Sequence, residues 1–150
     1  MRNRVGLVLV LAAGLLLLAG LYACAPAPAP KTQAFDLLMG EQIVIAEAEG
    51  GADEEIGEFH RWEPAILVVK KGDTVVIHVT NPRKNVHGFA IPGYGVSTGP
   101  LEPRGGEETV QFVADRAGVF PFACNQPWDA DTAICNIDHE FMTGYLLVLE

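Results

Sequence analysis

Lys71-Gly-Asp-Thr-Val-Val-Ile-His-Val-Thr-Asn-Pro82 is the stretch that decides the fold class. A Lys-Gly-Asp turn signal opens it and Asn-Pro closes it. Between them, β-branched residues put Val75, Ile77 and Val79 on one face of an extended chain and Val76, His78 and Thr80 on the other. That period of two predicts a half-buried strand over Thr74–Asn81.

The same grammar extends in both directions. Short apolar runs at Ile43–Ala46, Ala65–Val69, Gly88–Ile91, Thr109–Val113, Val119–Cys124 and Tyr145–Leu149 read as further strands. Ile91-Pro-Gly93, Pro103-Arg-Gly-Gly106 and Ala117-Gly118 punctuate them. No long stretch carries a 3.6-residue period, so the expectation is an all-β sandwich or barrel. The acidic segment Glu47–Glu58, with Gly50-Gly51 inside it, reads as an exposed loop.

The N-terminus reads differently. Arg2 and Arg4 precede an almost unbroken apolar run from Val5 to Leu21, followed by Leu21-Tyr-Ala-Cys24. Positive, apolar and small-residue zones in that order describe an export signal over residues 1–23. A small residue before a cysteine resembles the bacterial lipoprotein cleavage box, which makes Cys24 the expected lipidated N-terminus. The competing reading is an uncleaved anchor, since about 17 apolar residues sit at the lower limit for spanning a bilayer. Either way the rest of the chain is expected outside the cytoplasm, held at a membrane. Ala25-Pro-Ala-Pro-Ala-Pro30 follows as an extended spacer. The expected division is therefore signal 1–23, lipidated N-terminus and linker 24–41, and one domain over 42–150.

With 19 Asp and Glu against 10 Lys and Arg, the chain carries a formal charge of −9. That disfavours nucleic acid as a partner and favours basic ones, although an acidic solubilising coat accounts for the charge equally well.

The chemistry lies near the C-terminus. Cys135-Asn-Ile-Asp-His139-Glu-Phe-Met142 holds a thiolate, an imidazole and a thioether within eight residues. Cys124 closes the strand before it, and His87 begins another strand after the loop 82–86. Soft sulfur donors with imidazole select copper over magnesium, calcium or manganese, and zinc rarely uses methionine. There is no Gly-rich phosphate loop and no Ser-His-Asp order to suggest an enzyme. His78 and His60 read as satisfied core or surface histidines, and Trp62 and Trp128 as packing or surface residues. Asp138 and Glu140, bracketing His139, are either acceptors that orient its ring or solvated charges.

In order, Val86-His-Gly-Phe-Ala-Ile91, Gly118-Val-Phe-Pro-Phe-Ala-Cys124, Cys135-x3-His139-x2-Met142 and Gly144-Tyr-Leu-Leu-Val148 resemble the cupredoxin family. Within it they are closest to the binuclear CuA domains of cytochrome oxidase subunit II and nitrous oxide reductase. The resemblance covers roughly residues 64–149. It implies a cupredoxin-like Greek-key β-sandwich and a metal set of His87, Cys124, Cys135, His139 and Met142. It also implies one-electron transfer with a redox partner such as a cytochrome or terminal oxidase.

The departure is between the cysteines, where the family has three residues and this chain has ten, Asn125 to Ile134. If the insertion bulges outward, both sulfurs stay in place and two copper ions are implied. If it draws Cys135 away, one copper remains in a blue-copper-like site. The family's backbone carbonyl ligand falls on Gln126 counted from Cys124, or on Ala133 counted back from Cys135. Two rival readings stand beside the carrier: a copper chaperone or delivery lipoprotein for an oxidase, and an accessory oxidase component. A Cys124–Cys135 disulfide is the structural alternative, because an exported domain meets an oxidising environment.

Overall fold

The computed structural model describes residues 29–47, 51, 53–129, 131, 132 and 134–150. The expected signal, Cys24 and most of the proline spacer lie outside these residues. Among the described residues nine strands form two sheets: β1 (Thr32–Glu47), β2 (Asp53–Glu63), β3 (Ile66–Lys70), β4 (Thr74–Asn81), β5 (Ala90–Ile91), β6 (Val96–Ser97), β7 (Gly106–Val113), β8 (Gly118–Ala123) and β9 (Thr143–Leu149). One sheet runs β2-β1-β4-β7, the other β3-β9-β8-β5-β6. Among the described residues no helix is long and apolar enough to cross a membrane.

The alternation in β4 behaves as its sequence predicts. Val75, Ile77 and Val79 are fully buried, whereas His78 is exposed and meets Thr109 Oγ1 at 2.8 Å. From the facing sheet, Leu67, Val69, Phe89, Phe122, Leu146 and Val148 complete the core. Trp62 packs edge-on to Phe89 at 5.6 Å between ring centroids, which identifies it as core. Interdigitated aromatics of this kind give the interior the density that resists deformation.

Two expectations are corrected. Much of the segment Glu47–Glu58 is not loop: β1 and β2 form a long antiparallel hairpin, with Glu47 opposite Asp53 and Gln42 opposite Phe59. β2 lies at a sheet edge, where carboxylates such as the exposed Glu58 meet water, so acidity and strand are compatible there. The expected linker 24–41 also overlaps the sheet. β1 starts at Thr32 and pairs in parallel with β4, Thr32 opposite Thr74 and Leu38 opposite Thr80. Parallel pairing to a central strand, with Leu37 and Met39 buried, holds this segment in the sheet.

The register defines two ends. At one end β4 and β8 finish and β9 begins. At the other, the chain enters at Lys31, Lys70–Asp73 turn from β3 into β4, and Leu149 closes β9. Asp73 fixes this second end: its carboxylate accepts from the backbone N–H of Lys31 at 2.9 Å and of Lys70 at 3.0 Å.

Candidate metal centre

All five expected donors lie at the first end. Three loops carry them, and each is fastened by identifiable bonds. Asn81, fully buried at the end of β4, donates from Nδ2 to the carbonyls of Asn85 at 2.8 Å and Leu101 at 3.0 Å. Its Oδ1 accepts from Arg83 N–H at 3.0 Å, which shapes the loop leading to His87. His87 and Leu101 then exchange backbone bonds, and Phe89 is tied to Thr98 through both backbone and Oγ1. Gly88 permits the next loop to approach, since a Cβ there would collide with the Asn125 side chain.

Cys124 follows β8 and donates its backbone N–H to Met142 O at 3.1 Å, so the first sulfur loop is laced to the end of the second. The insertion bulges outward and returns. Asp129 pairs with Ile134, Ile134 bridges to Val86, and Cys135 N–H donates to Val86 O at 2.8 Å. Asn85 adds side-chain bonds to Cys135 O and to Asn136 Oδ1. Cys135 itself takes φ +57°, a left-handed conformation uncommon outside glycine and often found where a side chain must be re-aimed.

The result is compact. Cys124 Sγ lies 3.8 Å from Cys135 Sγ and 3.9 Å from His87 Nδ1. Cys135 Sγ lies 3.0 Å from His139 Nδ1 and 3.5 Å from Met142 Sδ. The structure therefore brings together all five residues singled out from the sequence, and the insertion does not draw Cys135 away. His87, Cys124, Cys135 and Met142 are buried; His139 is half-buried, with exposed Phe141 beside it. The donor atoms of His87, Cys124 and Cys135 are near enough to share one ion. Gln126 O stands 3.8 Å from Cys124 Sγ, while Ala133, the other carbonyl position considered, lies outside the described residues.

Both cysteines are free thiols. Their separation exceeds the S–S bond of about 2.05 Å, so no disulfide is formed. Yet metal–sulfur bonds of about 2.3 Å let one ion reach both. The pair shares protons unequally. The hydrogen bond from Cys135 holds the Cys124 thiol well below its usual range, and Cys135, which keeps the shared proton and is desolvated, is pushed up. His87 Nε2 is buried without a partner among the described residues, leaving Nδ1 as the nitrogen turned toward sulfur. Donor set and geometry fit copper, which accepts soft sulfur with imidazole.

Other residues serve the site without touching the donors. His60 on β2 is buried, its Nδ1 3.1 Å from Asp138 Oδ2 and 2.9 Å from Asn136 Nδ2. Its backbone N–H also donates to Asp138 Oδ2. His60 is accordingly the satisfied histidine expected. Asp138, however, is spent on His60 rather than on orienting His139, and Glu140 is exposed. β2 thereby pins the loop carrying Cys135 and His139. The alternation in His60-Arg-Trp-Glu63, ring against charge, is the signal that marks this strand, but nothing in sequence pairs His60 with Asp138.

No protein-family profile matches the sequence, and no curated protein matches it. Solved structures do. The copper nitrite reductase from Nitrosomonas europaea aligns at 23% identity with a TM-score of 0.56, over 79% of this chain and 41% of that one. The laccase from Botrytis aclada, as its L499M mutant, aligns at 16% identity and 0.58, over 83% and 24%. The blue copper oxidase from Nitrosomonas europaea aligns at 20% and 0.52, over 79% and 39%. The chain spans less than half the length of each. These likenesses show the fold, a cupredoxin-like β-sandwich.

Proposed function

We propose that this protein is a copper-binding one-electron carrier with a CuA-like centre, tethered outside the cytoplasm through a lipid on Cys24. The observation that carries the reading is the 3.8 Å approach of two free, buried thiols, with His87, His139 and Met142 gathered around them. His87, Cys124, Cys135, His139 and Met142 would hold the metal. Bound copper would supply a centre that gains or loses a single electron.

The chain's own part is to keep that centre from rearranging. Backbone bonds from Cys124 to Met142 and from Cys135 to Val86, with the Asn81 and Asn85 clamps, fix the donors before loading. Burial of Cys124, Cys135 and Met142 excludes water from the sulfur side. His139 alone among the donors is half-open to solvent, so it marks the place where a redox partner approaches. The two-thiolate geometry supports two copper ions over one. The same rigid cage favours a carrier over a chaperone, because a delivery protein must release its ion to an acceptor.

Copper-loaded protein is expected to show strong visible thiolate-to-copper absorption and to cycle reversibly between oxidation states. A colourless or redox-silent complex would refute the carrier. Quantitative surrender of copper to an apo-acceptor would favour delivery.

A further inference from the structure

Among the described residues, nothing packs on the outer face of the β8–β9–β3 layer. Outward positions in register place Ile66 beside Tyr145, Leu147 between Val68 and Val119, and Leu149 beside Lys70. Ile66 is 57% exposed, Val68 48%, Val119 64%, Tyr145 49% and Leu149 49%. A contiguous apolar sheet face of this kind marks an interaction surface.

The chain itself indicates what covers it. Ala29, the first described residue, lines a surface groove with Lys31, Val68 and Leu149, so the N-terminal segment leaves the domain at the edge of this face. Seven residues, Cys24 to Pro30, reach at most about 25 Å when fully extended. A domain of this size is about 35 Å across. A lipid on Cys24 therefore keeps the edge of this face close to the bilayer.

The charge agrees. In a chain of net charge −9, Lys31, Lys70 and Lys71 gather at this end. Two carboxylates stand near them. Asp73 is buried and held by backbone N–H groups, and Glu150 pairs with Lys71 at 3.3 Å. Lys31 and Lys70 form no ion pair among the described residues. Lys70 can lay its methylenes along Leu149 and offer its ammonium to lipid phosphate.

We propose that the β8–β9–β3 outer face is a lipid-docking surface that lies on the bilayer. This rests on the tether reading above. Tyr145 and Trp128, 49% and 48% exposed, provide a matched pair of probes, one on the face and one on the insertion beside the metal centre. Full-length, copper-loaded protein would be reconstituted into vesicles of phosphatidylglycerol and phosphatidylethanolamine and subjected to carbene footprinting with mass spectrometry. Docking is expected to lower labelling of Tyr145 and Val68 severalfold relative to detergent, with Trp128 unchanged. Val68→Glu together with Lys70→Glu, both remote from the donors, should restore Tyr145 labelling while the visible spectrum stays the same.

A chain that stays in solution refutes the tether and the docking together. A chain that sediments with vesicles while Tyr145 labels as it does in detergent refutes the docking alone. Protection of Tyr145 that appears without lipid and grows with protein concentration would show a second copy on this face, and would also overturn the proposal.

Discussion

Asn81→Ala tests how the fold positions a donor that Asn81 never touches. The side chain is fully buried and makes three bonds of 3.0 Å or less, to Asn85 O, Leu101 O and Arg83 N. Truncation leaves the Asn85 carbonyl and the Arg83 N–H without those partners. Leu101 O keeps the weaker bond from His87 N–H at 3.3 Å. An unmade polar bond costs about 1–3 kcal/mol when buried, and both of these are part-buried, so the two losses amount to about 2 kcal/mol. For a domain of this size that is a fall in Tm of about 7 °C. Thermal unfolding of the metal-free, reduced protein, with urea unfolding beside it, measures the loss. Unchanged urea m-values would show that stability rather than compactness has changed. Because the loop 82–86 delivers His87, the variant should also lose copper faster to a chelator. A Tm within about 2 °C of the parent would refute the clamp, since surface-like substitutions fall in that range.

Other consequences follow from the same geometry. Met142→Leu conserves volume in a fully buried position and should cost less than about 1.5 kcal/mol, so the fold and the copper colour persist. Its reduction potential should nonetheless shift on voltammetry; an unchanged potential would remove Met142 from the ligand set. Gly144→Ala should destabilise by about 2 kcal/mol or more, because its Cβ would strike the buried Phe122 ring and Ala65 O, a carbonyl held by the Tyr145 N–H. Wild-type Tm in the variant would show the strands spread freely at that point. Backbone N–H bonds from Lys31 and Lys70 hold the Asp73 carboxyl below the usual carboxylate range. A depressed folded pKa contributes stability above the unfolded pKa, and that contribution is lost as pH falls through the folded value. Asp73→Asn should therefore lower Tm most at neutral pH, with the gap to the parent closing in acid; a constant gap would contradict the assignment.

Much of the architecture was legible in the sequence because period-two alternation survives in strands that face one core. Thr74–Asn81 is the clearest case, observed with the expected bounds and inward faces. β2 was hidden because glycine and carboxylate composition imitates a loop, although Trp62 and His60 point inward from it. The first half of β1 was hidden by its proline-rich approach, and its parallel pairing with β4 is a contact between distant residues. At the site, the donors from Cys135 to Met142 were legible because one loop carries them. His87 required the order of motifs around it. The clamps were not legible: Asn81, Asn85 and the His60–Asp138 pair act across the fold, and no local pattern announces them. The ten-residue insertion left the position of the Cys135 sulfur open in the sequence; its return at Ile134 places that sulfur 3.8 Å from Cys124 Sγ.

The central claim is that two thiolates serve one copper centre. Copper analysis combined with electron paramagnetic resonance on the full-length, oxidised protein tests it most directly. Two copper ions per chain with a seven-line pattern from one shared electron is the predicted result. One copper with a four-line pattern would remove Cys135 from the centre, and the binuclear account with it.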